Sequence, residues 1–248
     1  MPRLLVKGFC ALYALAAYVL FVCSLVYLVG FVANRYAPAS IDSGVSVPFA
    51  DALKTNLLLL SLFALQHSGM AREGFKRVWT KIVPAHLERA TYLAATAVAL
   101  GILFRYWEPM PERVWQLEHP AAVAVAQALS GSGGLLVLLS GAVWSHAQFT
   151  GIRQAVCYLR NRPFEAEPFQ ERGVYRWVRH PMMLGVLVWL WSTASMSRGR
   201  FLFAAFLSVY IVAAIRWEER DLERKHGEAY RAYRMRVPAL APWRKRGG

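Results

Sequence analysis

Two constellations of ionisable residues stand at the ends of apolar runs. In "VRHPMML", Arg179, His180 and Pro181 precede the run 182–196; in "RWEER", Glu218 and Glu219 directly follow the run 200–217. Proline suits the first turn of a helix, where its missing N–H costs no hydrogen bond, so His180 is predicted at the cap with Arg179 just outside. Free N–H groups and the positive end of the helix dipole converge there and suit an anion such as a carboxylate or phosphate. An acidic pair beside an apolar run is expensive unless it is ion-paired or faces an aqueous cavity. If the two runs form a hairpin, groups about 40 residues apart meet in a rim of both signs. That rim suits a zwitterion, the arginine or helix terminus taking its carboxylate and a glutamate its ammonium. Two plainer arrangements use the same residues: Arg179 on lipid head groups with His180 merely capping the helix, or a structural network of the two glutamates with Arg216 and Arg220.

The histidines extend the pattern. His67 ends an apolar run in "ALQHSGM", beside Gln66, and His146 ends another in "VWSHAQFTGIRQ". With His180 they are predicted at similar depth near one membrane face, as candidate bases, proton relays or ligands of a haem iron. No pair has the close spacing of H-E-x-x-H, so no metal centre is expected, and a hydrogen-bonded core histidine is the plain alternative. Gly131, Gly133 and Gly134 read as close helix packing, because no strand or Walker lysine accompanies them. Trp107, Trp115, Trp144, Trp177 and Trp217 read mostly as an interfacial belt.

The elements that must position these groups are membrane helices. The chain has 248 residues, is 56% hydrophobic and carries a net charge of +14; its mean hydropathy of +0.31 is too high for an ordinary soluble domain. A nucleic-acid binder could be this basic, but it has no use for uncharged spans. Cys10, Cys23 and Cys157 form no disulfide framework. Candidate spans are 8–33, 51–67, 90–107, 121–145, 182–196 and 200–217, with a tight turn at 197–199 making the last two a helical hairpin. Alternating sides puts 23 of the 29 Lys and Arg on one face, so both termini are predicted cytoplasmic, in a bacterial-type inner membrane. Leu222, Tyr230, Tyr233 and Val237, spaced among charges, suit a C-terminal helix lying along the membrane surface. The expectation is an all-α polytopic bundle of about five spans, a single domain over 1–248.

"RHPMMLG" at 179–185, followed by "EERDLERKHGEAYRAYRMRVPAL", resembles the cofactor region of the membrane methyltransferases that include the isoprenylcysteine carboxyl methyltransferases and phospholipid N-methyltransferases. Within that superfamily the chain looks most like the methanethiol S-methyltransferases, through "ALQHSGMAREGFKRVWTKIVP", "GIRQ" and "GVYRWVRHP", over about residues 56–241. The resemblance implies a helical membrane enzyme that uses S-adenosylmethionine, bound within about 146–241, and methylates a small apolar thiol such as methanethiol to a thioether such as dimethyl sulfide. Carried over by position, Arg179, His180, Pro181, Gly185, Glu218 and Glu219 belong to the cofactor site, which Met183 also lines; His146, His67, Gln66, Gln148 and Arg153 are the candidate catalytic residues on the acceptor side. His146, or His67 with Gln66, would accept or relay the thiol proton. The chain departs from the family at Met183, where tyrosine is usual, and in "SHAQFTGIRQ", where Ser145 and Gln148 replace asparagine and aspartate. A larger lipid-like thiol, carboxylate or amine as acceptor, and a non-enzymatic haem-handling protein, are the alternatives.

Overall fold

Alanines and small polar residues let helices approach closely where lipid supplies no hydrophobic drive between them, and such a set begins the first unit. The computed structural model describes residues 2–143, 150–165 and 171–240. They are overwhelmingly helical, and four helices are long and apolar enough to cross a membrane. The chain divides into two compact units, residues 1–112, 146–166 and 198–200 in one, the remainder in the other.

In the first unit, α1 (Pro2–Ala33), α2 (Phe49–Ala71), α3 (Glu73–Trp79), α4 (Glu88–Tyr106) and α6 (Ile152–Leu159) assemble around α4. Ala14 and Ala17 of α1, Ala90 of α4 and Ala155 of α6 form one buried cluster. Gly151, which caps α6 at φ +83°, approaches so closely that a Cβ there would lie 3.0 Å from the Arg89 Cβ; both the backbone angle and the contact demand glycine. Buried Asn56 of α2 bonds both main-chain groups of Glu108, donating at 2.8 Å and accepting at 2.9 Å. Trp107 is buried and donates to the Ile41 carbonyl at 3.0 Å, so it is a core anchor rather than part of the interfacial belt expected for it.

In the second unit, α5 (Pro120–Val143) packs on α7 (Pro181–Trp191). Gly133 and Gly185 make the contact: a Cβ on Gly185 would fall 2.6 Å from the Gly133 carbonyl oxygen. Gly131 and Gly134 have open space around them, so close packing holds for Gly133 alone of the three. After α7 the chain does not simply turn at 197–199. Ser195–Ser197 forms a strand, β2, antiparallel to β1 (Arg113–Gln116), and helix α8 (Arg198–Arg236) starts at once. The β-branched and aromatic residues of "RVWQ" favour that short ladder.

Helix α8 is two limbs. Gly227 has φ 57° and ψ −129°, outside helical geometry. Glu223 nevertheless binds Arg234 at 3.1 Å, and Glu219 lies 3.6 Å from Arg234. In a straight helix, residues 11 and 15 positions apart would be separated by roughly 16 and 22 Å, beyond the reach of both side chains together. The chain therefore folds back at Gly227. Tyr230, Tyr233 and Val237 bury against one another and Leu222, so the residues expected to face a membrane surface instead close an internal cluster.

Candidate functional site

The fold-back delivers a second set of groups to the start of α7. His180 is the N-cap residue and Pro181 follows at the head of the helix, as the sequence predicts, but the imidazole makes no capping bond. The amides at this end are largely occupied: Arg179 N–H donates to the Pro238 carbonyl at 2.9 Å and His180 N–H to the Ala239 carbonyl at 3.1 Å. Among the described residues, Met182 and Met183 are left as the first-turn N–H donors without a backbone acceptor.

The Arg179 guanidinium is consumed in the same way. Its Nε and Nη2 donate to Glu219 Oε1 at 2.8 and 2.5 Å, while Nη1 donates to the carbonyls of Arg234, at 3.0 Å, and Val237. With its side chain 3% exposed, it is a buried strut that ties α7 to both limbs of α8. His180 lies between the two carboxylates, Nε2 3.3 Å from Glu219 Oε1 and Nδ1 3.6 Å from Glu218 Oε2. Burial lowers the His180 pKa, but the hydrogen bonds and charges of Glu218 and Glu219 outweigh it and leave the imidazole raised above 6.5. The apolar part of α8 ends at Trp217, and Glu219 lies beyond it. Burial raises its carboxyl, and His180 and Arg179 more than reverse that, holding it near 2. Desolvation likewise pushes the Tyr230 phenol beside them up to about 12.

The groups still open to a ligand are different ones. Glu218 keeps 48% of its side chain exposed, and Arg234, although its Nη1 meets Glu223 and its Nε lies near Glu219, keeps 39%. Held by the saturated Arg179–Glu219 pair, this rim can offer a carboxylate to a cation and a guanidinium edge to an anion. Sequence reasoning brought Arg179, His180, Glu218 and Glu219 together and missed Arg234, whose signal was Gly227 breaking the tail into two limbs.

The other predicted residues fall elsewhere. Gly185 faces α5 and serves packing. Met183 is the exception: in the first turn of α7 it stays beside the rim. Arg153 of α6 lies 6.0 Å from the Phe164 ring centroid. His67 of α2 is stacked on Phe63 at 5.4 Å, with the Tyr92 hydroxyl 3.0 Å from its ring nitrogens. Gln66 donates to Thr96 of α4 at 3.4 Å. His146 and Gln148 lie outside the described residues. Among the described residues no group of three or more His, Cys, Asp or Glu could hold a metal ion. At the far end of α7 a largely apolar groove of about 560 Å³, bounded by Trp115 and Trp191, contains none of the predicted site residues.

The NnrU protein family matches residues 56–241, three quarters of the sequence and all of the described site. The chain belongs to the NnrU family. Among proteins similar to this NnrU-family chain are a methanethiol S-methyltransferase of Mycobacterium tuberculosis, 41% identical across 94% of this chain and 95% of its own length, and methanethiol S-methyltransferase 1 of Bradyrhizobium diazoefficiens, 38% identical across 94% and 82%. Human nurim is 29% identical across 73% of this chain and 70% of its own. No solved structure matches.

Proposed function

We propose that this chain is a membrane methyltransferase that moves a methyl group from S-adenosylmethionine to a small thiol such as methanethiol, giving a thioether such as dimethyl sulfide. The observation that carries the reading is the mixed-charge rim of Glu218 and Arg234 fixed by the Arg179–Glu219 pair, in a chain whose relatives at 38 and 41% identity bear the name methanethiol S-methyltransferase. The donor set fits the α-amino carboxylate of S-adenosylmethionine. Glu218 takes the ammonium, and Arg234 with the Met182 and Met183 amides takes the carboxylate. Bound there, S-adenosylmethionine supplies a sulfonium methyl open to direct displacement. Arg179, His180 and Glu219 hold the rim in shape, Pro181 sets the helix start, and Gly185 lets α7 seat on α5.

On the acceptor side the thiol proton must leave, because the thiolate is far the stronger nucleophile. His67, or His146, receives it, with Gln148 and Arg153 of the same segment contributing polar groups. A small apolar thiol can enter from the lipid. The cation bias supports a bacterial-type inner membrane with both termini in the cytoplasm, where S-adenosylmethionine is made.

Calorimetry with S-adenosylhomocysteine on purified protein tests the cofactor part: Glu218→Gln should weaken binding about tenfold, the loss of one charge-assisted hydrogen bond. Incubation with S-adenosylmethionine and a panel of thiols tests the acceptor. Absence of saturable binding in the unaltered protein, or methylation confined to lipid-like carboxylates or amines, refutes the reading.

A further inference from the structure

Gln66 lies on α2 inside a membrane-spanning segment and faces α4. Its amide nitrogen has two neighbours, Thr96 Oγ1 at 3.4 Å and Met70 Sδ at 3.2 Å. The Thr96 hydroxyl proton is already given to the Tyr92 carbonyl at 2.9 Å, so Oγ1 can only accept from the side chain opposite. That fixes the amide orientation: nitrogen toward Thr96, oxygen away. Oε1 of Gln66 is consequently a buried acceptor with no hydrogen-bond partner among the described residues. Next to it in sequence is the imidazole of His67, held between Phe63 and Tyr92. A buried carbonyl without a donor is costly, and within a span such a group marks a functional position. What satisfies it must be small, must come through an apolar setting and must carry a hydrogen to donate.

We propose that Gln66 Oε1 is the specificity-determining acceptor for the thiol, accepting a hydrogen bond from the S–H of the neutral substrate before its proton passes to the base and the methyl group is transferred. This rests on the methyl transfer to thiols proposed above. A neutral alkanethiol brings one donor. The thioether product brings none, so it leaves Oε1 unsatisfied and is rejected. An ionised carboxylate has no donor either and would set negative charge against the carbonyl oxygen. The acceptor therefore distinguishes substrate from product at the one atom where they differ.

The test uses the full chain in nanodiscs with 1-propanethiol as the probe. In the infrared spectrum, the S–H stretch of bound thiol should shift to lower frequency relative to thiol in lipid, and Gln66→Met, of similar length but without the acceptor, should abolish the shift. In turnover, Gln66→Met should raise the thiol KM about tenfold, and more than it lowers kcat, as the loss of one buried hydrogen bond does. The inhibition constant of methyl propyl sulfide should stay unchanged. An unshifted stretch in the unaltered protein overturns the inference even if the variant fails to fold. A parallel rise in the KM and in the sulfide constant overturns it in favour of a packing role. If the unaltered protein binds thiol with a shifted stretch yet methylates none, the inference about Gln66 stands and the proposed reaction falls.

Discussion

Arg179→Lys separates charge from shape at the junction of α7 and α8. Arginine meets the Glu219 carboxylate with Nε and Nη2, and the Arg234 and Val237 carbonyls with Nη1. One lysine nitrogen can serve the carboxylate or the carbonyls, but it has no fork to serve both. Losing the two contacts to main-chain carbonyls costs about 1 kcal/mol or more each, and weakening a two-pronged hold on a carboxylate costs about 1.5–3 kcal/mol more, part of which the retained positive charge recovers. A net loss of about 2–3 kcal/mol corresponds to the 228–239 arm opening roughly 30–150 times more often. Hydrogen exchange followed by mass spectrometry reads this directly. Peptides covering 228–239 should exchange faster by that factor, while those from α5 keep their rate. Unchanged exchange in the arm would refute the strut, and uniform acceleration throughout would show that Arg179 supports the whole fold rather than this junction.

Gly227→Ala should speed exchange of the same arm without touching a charge, because the site has open space but a φ of 57° and ψ of −129°, at a cost of about 1–3 kcal/mol. In Gly185→Ala the new methyl would sit 2.6 Å from the Gly133 carbonyl oxygen and 2.9 Å from Val137 Cγ2, so the thermal midpoint should fall by the equivalent of about 1–3 kcal/mol; an unchanged midpoint would mean α5 and α7 can slide apart freely. Exchange of the arm should also depend on pH in both directions. The contribution of His180 is complete below its ordinary 6.5 and is lost as pH rises through its raised value, whereas that of Glu219 is present above 4.5 and is lost as pH falls toward about 2. Protection that is flat on the alkaline side would remove His180 from the latch.

The sequence showed these parts unevenly, for physical reasons. Pro181 can sit only near a helix start, and Glu218 and Glu219 after an apolar run demand partners, so the meeting of Arg179 with Glu219 was legible from residue types alone. That the pair would saturate itself was not, because saturation depends on main-chain carbonyls at 234 and 237–239, which carry no side-chain signature. The reversal at Gly227 was hidden by helix-forming neighbours on both sides; a lone glycine in "KHGEAY" is compatible with a straight helix until packing of Tyr230, Tyr233 and Val237 decides otherwise. Four residues in β1 were too few for alternation to be read. The orphaned oxygen of Gln66 needed the partner of Thr96 to be known, a fact about two helices and not about either sequence.

The closing contacts of Arg179 come from residues translated long after it. Glu219 follows by 40 residues and Val237 by 58, which at 5–20 residues per second are intervals of roughly 2–8 s and roughly 3–12 s during synthesis. Until Glu219 emerges the nascent arginine lacks every acceptor it will finally use, and anionic lipid phosphates at the membrane surface are substitutes of suitable charge. Such a substitute would have to hand a single guanidinium over from lipid to protein. Membranes poor in anionic lipid should slow its maturation without altering the finished molecule.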